Sequence, residues 1–395
     1  MGFSLAIIIL LGLALNKIFD AIKLPGLLGM LILGIMIGPY GLNIISADIL
    51  DISADLRKIA LIVILIRAGL GIKRDALKKV GIPAIKMSCI PGLCEGFMVM
   101  LLASYLFGIS KIEAGMLGFI IAAVSPAVVV PLMLSFIDSG LGEKKGIPTL
   151  ILAGASIDDV FAITIFSSFL GMYTGKNVNI SMQIAGIPIS IILGILMGLI
   201  MSMVMLVLFR RYHIRDTKKT LILLAAAIVL TTIEEYFKGI IPIASLLGVM
   251  MVGFYIREKS SKIADALSQK FNKIWVFAEL MLFVLVGAQV NIDVAFNSGI
   301  LGLVVIAIGL LARCMGVFIS TLATELNWKE RVFCMIAYVP KATVQAAIGA
   351  VPLEAGVASG ELILAIAVLS IIITAPLGAI GIKVFGEKWL THRAE

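Results

Sequence analysis

The stretch Ala153-Gly-Ala-Ser-Ile-Asp-Asp-Val-Phe-Ala-Ile163 sets two adjacent carboxylates inside an apolar run that covers about 148–172. Asp158 and Asp159 lie about ten residues into that run, or ~15 Å at 1.5 Å per residue. In a segment that crosses a ~30 Å hydrocarbon layer, this depth is the midplane. A charge there costs at least ~2.5–3.5 kcal/mol on insertion scales, so its default reading is functional. Neighbouring side chains on a helix point ~100° apart, so the two acids cannot share one partner. One can face an ion while the other faces a cation on a second helix. Two carboxylates this close in low dielectric also resist ionising together. The bland alternative is a structural salt bridge.

The rest of the chain supports lipid as the solvent. Of its 395 residues 61% are hydrophobic and 14% charged, against about 25% charged in a soluble domain. No single core hides that much apolar surface from water, which excludes a soluble enzyme, a nucleic-acid module and a disordered chain. The formal charge of +8 then reads as basic loops on one membrane face. Cys89, Cys94, Cys314 and Cys334 lie in apolar stretches without a CxxC pair and read as reduced thiols. His213 and His392 fall in basic polar segments. Proton chemistry at membrane depth is therefore left to carboxylates or lysines. The first residues have no basic n-region or small-residue cleavage site and read as a first membrane helix.

Thirteen apolar runs alternate with short charged loops, at approximately 1–17, 25–42, 57–72, 81–107, 114–137, 148–172, 182–209, 219–237, 240–256, 273–290, 298–323, 330–350 and 361–383. With the N-terminus outside, 23 of the 32 Lys and Arg fall in inward loops and five in outward loops; Arg67, Lys86, Arg313 and Lys341 remain within spans. That bias predicts thirteen spans, N-out and C-in. No loop is long enough for a separate domain, so residues 1–395 read as one transmembrane unit.

Further charges stand inside spans. Arg313 is mid-membrane and needs a carboxylate, with Glu95 and Asp158 as the available partners. Arginine stays protonated, whereas a desolvated lysine such as Lys341 can titrate. Arg67 and Lys86 lie near the cytoplasmic side and read as snorkelling. Glu279 is open to a structural or a functional reading. Glu234 and Glu235 sit at the outer end of a helix and read as wet.

Two spans carry internal prolines, in Ala122-Ala-Val-Ser-Pro-Ala-Val-Val-Val-Pro131 and Tyr338-Val-Pro-Lys-Ala-Thr-Val-Gln-Ala-Ala-Ile-Gly349. Proline removes a helix hydrogen bond, and in lipid the freed backbone is tolerated only where it is buried or lines a cavity. Pro126, Pro131 and Pro340 thus mark broken helices, and carbonyls near Ser125 and Thr343 are candidate cation ligands. If spans 1–6 and 8–13 form two units joined by span 7, the units have opposite orientation and the fifth helix of each is the interrupted one. This is the pattern of an inverted-repeat transporter with a midplane site.

These residues resemble the monovalent cation:proton antiporter superfamily. Ser-Ile-Asp-Asp-Val is similar to its two-aspartate motif, and the two proline segments look most like the branch holding the animal NHA-type sodium/hydrogen exchangers and their bacterial relatives. The resemblance covers nearly the whole chain, and Pro-Lys-Ala-Thr-Val-Gln is its most specific part. It implies an elevator-type homodimer. A core of helices 4–6 and 11–13 (about 81–172 and 298–383) would carry the ion past a dimerisation scaffold (about 1–72 and 182–290). Asp159 would match the ion-carrying acid and Asp158 its neighbour. Glu95, Arg313 and Lys341 would match charged core positions. Electrogenic two-aspartate members place a lysine where Arg313 stands, so stoichiometry need not follow theirs.

The expectation is therefore antiport of Na⁺ (or Li⁺) against H⁺ at a multi-pass protein of the plasma membrane, with no cofactor, enzyme activity or nucleic-acid partner. Asp159 would alternately hold cation and proton, with Asp158, a water and carbonyls near Ser125–Pro126 completing a hard-oxygen shell. No GxxxxGK[ST] occurs, so an ion gradient and not a nucleotide would supply the energy. Because Arg313 keeps its proton, the cycle would be electroneutral. The rivals are a potassium/proton antiporter and a sodium-coupled organic anion transporter served by Arg313 and Lys341, against which two aspartates argue. An intramembrane aspartyl protease needs its acids on different helices and a GxGD motif, which the chain lacks.

Overall fold

In hydrocarbon every backbone N–H and C=O must be paired within the protein, which leaves helices as the natural solution for a chain of this composition. The computed structural model describes residues 1–22, 24–72, 74–175, 180–212, 214–237, 241–291 and 299–391. His213, His392 and the loop lysines Lys23, Lys73, Lys176 and Lys238 lie outside the described residues. Among those described the secondary structure is helical throughout, with no β-strand. Among the described residues eight helical segments are long and apolar enough to cross a membrane, from Gly2–Ala21 to Gly360–Trp389; two of them, Val80–Phe107 and Lys111–Asp138, are interrupted.

The helices follow the apolar runs. The first part holds α1 (Gly2–Ala21), α2 (Gly26–Ile37), the short α3 (Ala47–Asp51) and α4 (Ser53–Gly71). It continues with α5 (Arg74–Met87), α6 (Ile90–Phe107), α7 (Lys111–Ile121), α8 (Pro126–Asp138) and α9 (Ile147–Tyr173). Then come α10 (Ile180–Arg211), α11 (Asp216–Tyr236), α12 (Ser245–Lys259) and α13 (Ser261–Ala288). The last part holds α14 (Gly299–Thr321), α15 (Trp328–Ala337), α16 (Thr343–Ile348), α17 (Val351–Glu354) and α18 (Gly360–Trp389). Ile189, Ile192, Leu196, Ile200 and Val207 of α10 are exposed. At helical spacing that face meets lipid, not a core. By contrast α7 is buried from Glu113 to Ile121.

Helices without a hydrophobic drive toward one another associate where small residues let backbones approach. A Cβ at Gly34 on α2 would strike the Val284 carbonyl of α13, and one at Gly287 the Leu31 carbonyl. On the neighbouring pair, a Cβ at Gly69 of α4 would strike the Met250 carbonyl of α12, and one at Gly253 the Ile66 carbonyl.

The broken helices begin alike. Ser110 accepts the Glu113 N–H and Glu113 accepts the Ser110 N–H; Asn327 and Glu330 make the same capping box at the start of α15. Each glutamate then reaches the residue or loop preceding another long helix. Glu113 accepts from Ser359, ahead of α18, through its N–H (3.2 Å) and its hydroxyl (3.0 Å). Glu330 accepts from Lys145, ahead of α9, at 2.7 Å. Bonds between helix ends recur elsewhere: Lys58 to Glu235 at 2.5 Å, Arg74 to Glu258 at 2.8 Å, and Lys383 to the Leu24 carbonyl at 3.2 Å.

Two details depart from the sequence expectation. The run 81–107 is not one helix but breaks at Ser88–Cys89, because Pro91 has no N–H to give the Met87 carbonyl and starts a new helix instead. Pro131 breaks nothing. It lies inside α8, which runs on to Asp138, so the interruption falls at 122–125, ahead of Pro126. A single missing bond is absorbed there, while Pro126 occupies the first helical position, where no N–H is needed.

Candidate ion-binding site

The backbone at the two interruptions is paired by diversion. The Val124 N–H, which a continuous helix would give to the Ile120 carbonyl, goes to Asp158 Oδ2 at 2.8 Å. The Ser125 N–H, due to the Ile121 carbonyl, goes to the Pro340 carbonyl at 2.8 Å and so ties the two broken helices together. Gln345 of α16 replaces the diverted donors. Its Nε2 donates to the Ile120 carbonyl at 3.0 Å and the Ala123 carbonyl at 2.9 Å, with the Ile121 carbonyl at 3.5 Å. The carbonyl of Ser125, expected as a cation ligand, accepts the Val129 N–H at 3.1 Å within α8. Thr343 opens α16.

Around this crossing lies a buried charge cluster. Arg313 of α14 is 0% exposed; its Nε donates to Glu95 Oε2 in a very short ion pair. Its Nη2 faces Asp158 Oδ2 at 3.5 Å, and its guanidinium stands 5.8 Å from the centre of the Tyr338 ring. Lys341, in the second interruption, donates through Nζ to the same Glu95 Oε2 at 2.7 Å, and its N–H goes to Thr374 Oγ1 at 2.9 Å. Both carboxylates expected for Arg313 therefore meet it. Gly92 packs close to this acid: a Cβ there would stand 3.0 Å from Asp158 Oδ1, so the carboxylate would have to give by a few tenths of an ångström.

Asp159 points elsewhere, as the ~100° step from Asp158 requires. It lines a cavity of about 340 Å³ together with Pro126, Ser156, Thr343, Leu61, Glu234 and Ser245. Its Oδ1 has no hydrogen-bond partner. Glu95 and Asp158 are thus paired against Arg313 and Lys341, while Asp159 meets an open space without a counter-cation of its own among the described residues.

Comparison with known proteins now bears on the same residues. A family model described as "Sodium/hydrogen exchanger, transmembrane" matches residues 5–388. The chain belongs to the sodium/hydrogen exchanger family. Members of this family are transporters, not enzymes, and move Na⁺ and H⁺ without a cofactor. The chain is 33% identical to human Sodium/hydrogen exchanger 9B2 over 399 residues, 96% of this chain and 72% of that protein. It is 36% identical to the bison exchanger of the same name over 404 residues, 96% of this chain and 74% of that one. Its fold is similar to the sodium proton antiporter MjNhaP1 from Methanocaldococcus jannaschii at pH 8, with a TM-score of 0.76 and 21% identity, covering 97% of this chain and 94% of that one.

Within this exchanger, several residues at the site gave no sequence signal of their own. Gln345 and Thr374 are neutral and lie in apolar runs, so no burial cost pointed to them. Tyr338, 0% exposed with its hydroxyl unpartnered, stands out in the sequence only as part of the Pro340 segment. Glu234 corrects its expectation: it is not simply wet at a helix end but lines the Asp159 cavity and accepts from the Ser245 hydroxyl. Its neighbour Glu235 is exposed, as expected.

Proposed function

We propose that this exchanger is an antiporter of Na⁺, or Li⁺, against H⁺ in which both ions compete for Asp159, one for one and without net charge movement. The observation that carries the reading is the division of labour within the acid pair. Asp158 is held through Oδ2 by the Val124 N–H and Arg313, whereas Asp159 has no ion pair among the described residues and lines the cavity. A lone carboxylate held among oxygen-bearing neighbours is a site for a small hard cation or a proton. Asp158, the backbone of Ser125–Pro126 and water complete the shell when the cation is bound.

Thirteen spans in inverted repeats of helices 1–6 and 8–13 are supported by three pairwise correspondences. The second and third helices of one unit pack on the third and second of the other through the Gly34–Gly287 and Gly69–Gly253 approaches. The fifth helix of each opens with a capping box whose glutamate reaches toward the sixth helix of the other. The two fifth helices meet at Ser125 and Pro340. The end-to-end bonds join loops that alternation assigns to one face, which with the basic inward loops supports N-out and C-in; the plasma membrane is the proposed location. The cavity lies between α9 and residues of α4, α10, α11 and α12. That position suits an elevator in which a core (about 81–172 and 298–383) slides against a dimeric scaffold (about 1–72 and 182–290). An organic anion substrate is disfavoured because Arg313 and Lys341 are fully buried against Glu95. Potassium stays an alternative cargo.

The test is a proteoliposome assay with an internal pH dye. Na⁺, Li⁺ and K⁺ are added in turn to wild type and Asp159→Asn, with and without a voltage clamp. Na⁺ and Li⁺ should each shift the pH in wild type but not in the variant. Exchange retained by the variant, or a signal with K⁺ alone, overturns the assignment.

A further inference from the structure

The cavity that holds Asp159 has a second carboxylate in its wall, contributed by the opposite side. Glu234 stands near the end of α11, and Glu235 follows it. The two acids differ in their partners. Glu235 is exposed and paired with Lys58 of α4 at 2.5 Å. Glu234 is half-buried and accepts from the hydroxyl of Ser245, the first residue of α12. Among the described residues Lys58 makes its ion pair with Glu235, while Glu234 makes none and stands in the cavity wall. Leu61, Leu65, Ile163 and Leu246 make most of the remaining wall apolar. A carboxylate set in such a wall acts over a longer range than one in water, since apolar surroundings screen it little.

We propose that Glu234 is a capture residue for the cation: it draws Na⁺ into the cavity from the face at which α11 ends and passes it to Asp159. This deepens the exchange reading and rests on it. The two acids belong to different bodies, Asp159 to α9 and Glu234 to α11. If the core moves and the scaffold stays, Glu234 shares a cavity with Asp159 only while that face is open. The assist is therefore one-sided, which a residue needed for Na⁺ binding itself would not be. Lys58 tunes it, because it neutralises the neighbouring Glu235.

The experiment measures Na⁺-driven proton movement in right-side-out and everted vesicles from the same cells, so that each face meets the varied Na⁺ in turn. Glu234→Gln keeps an oxygen for the Ser245 hydroxyl and removes only the charge. The half-saturating Na⁺ should rise roughly tenfold at the face where α11 ends, the factor that about 1.4 kcal/mol supplies, and distinctly less at the other face. Glu234→Asp should restore most of it. Lys58→Gln, which frees the charge of Glu235, should shift the half-saturating Na⁺ at the same face in the opposite direction and gives an independent reading if Glu234→Gln folds poorly. Equal changes at both faces, or none with Glu234→Gln and Lys58→Gln, overturn the proposal. A wild type without any Na⁺-driven proton signal instead overturns the exchange reading on which it rests.

Discussion

Replacing Gln345 by leucine tests whether the crossing of the broken helices depends on one side-chain amide. The two side chains are similar in volume, so the change removes hydrogen bonds without leaving a large hole. In wild type the Gln345 amide serves the Ile120 and Ala123 carbonyls at 3.0 and 2.9 Å. The Ile120 carbonyl cannot recover its helical donor, because the Val124 N–H is held by Asp158. A buried polar group left unpaired costs about 1–3 kcal/mol in soluble proteins, while interhelical bonds in membranes average only ~0.6 kcal/mol and reach ~1.7. The lower figures apply where unfolded helices find other partners in the bilayer. Here the partners have been diverted, so about 2 kcal/mol in total is expected. In a thermal unfolding assay in detergent this corresponds to a midpoint lowered by roughly 2–3 °C for a chain of this length. Na⁺-driven proton movement in proteoliposomes should fall as well, because Asp158 and the crossing share the Val124 N–H. A leucine variant with an unchanged midpoint and wild-type exchange would refute the reasoning, since the crossing would then hold itself together without the amide.

Three further outcomes follow from the charge cluster and the helix ends. Glu95→Gln leaves Arg313 and Lys341, both 0% exposed, without their shared counter-ion. Removing one partner of a buried pair costs about 3–5 kcal/mol, so unfolding by heat or denaturant should show a large loss, and a midpoint near that of wild type would contradict the pairing. Lys145→Ala takes the cation from Glu330, whose side chain is 3% exposed. It should destabilise more than Ser359→Ala, which removes one of the two bonds that Ser359 gives Glu113 and leaves those from Ser110; the two midpoints measured side by side decide this. Under the one-for-one cycle, a clamp of 100 mV in liposomes should leave the exchange rate unaltered. A steady transport current reversing at a two-proton potential would exclude that cycle.

Legibility in the sequence followed energetic cost. Asp158, Asp159, Glu95, Arg313 and Lys341 are expensive in hydrocarbon, and each stands at the buried centre or on the cavity. Pro126 and Pro340 mark interruptions for the same reason, since a missing N–H must be made good by something. Pro131 carried the same mark without the same effect, because one lost bond inside a buried helix leaves the turns on either side intact. Gln345 carried no mark. An amide in an apolar run is cheap to overlook, and its task exists only once two segments about 220 residues apart in sequence are brought together. Glu234 was hidden by its position near a helix end, where acids are ordinarily wet. That it lines the central cavity depends on where α11 and α12 stand relative to α9, and no local pattern encodes that placement.

The cluster as a whole explains why the second aspartate is needed. With three acids and two bases near the midplane, Asp158 and Glu95 are matched by Arg313 and Lys341, and Asp159 is the acid left over. An unmatched carboxylate cannot be moved across hydrocarbon cheaply, and it also interacts with the membrane potential at about 2.3 kcal/mol per charge per 100 mV. A proton or a sodium ion on Asp159 removes that charge equally well. The loaded core then has the same net charge in both directions of the proposed cycle, and the empty core is the costly form. In the proposed cycle coupling would then follow from electrostatics: only a core with Asp159 neutralised would cross readily, so an ion leaving on one side would have to be replaced before the return. Asp158 makes this possible by holding Arg313 and the Val124 N–H in place through Oδ2, which leaves its Oδ1 for the proposed cation shell. A single aspartate could not both anchor the guanidinium and release its cargo.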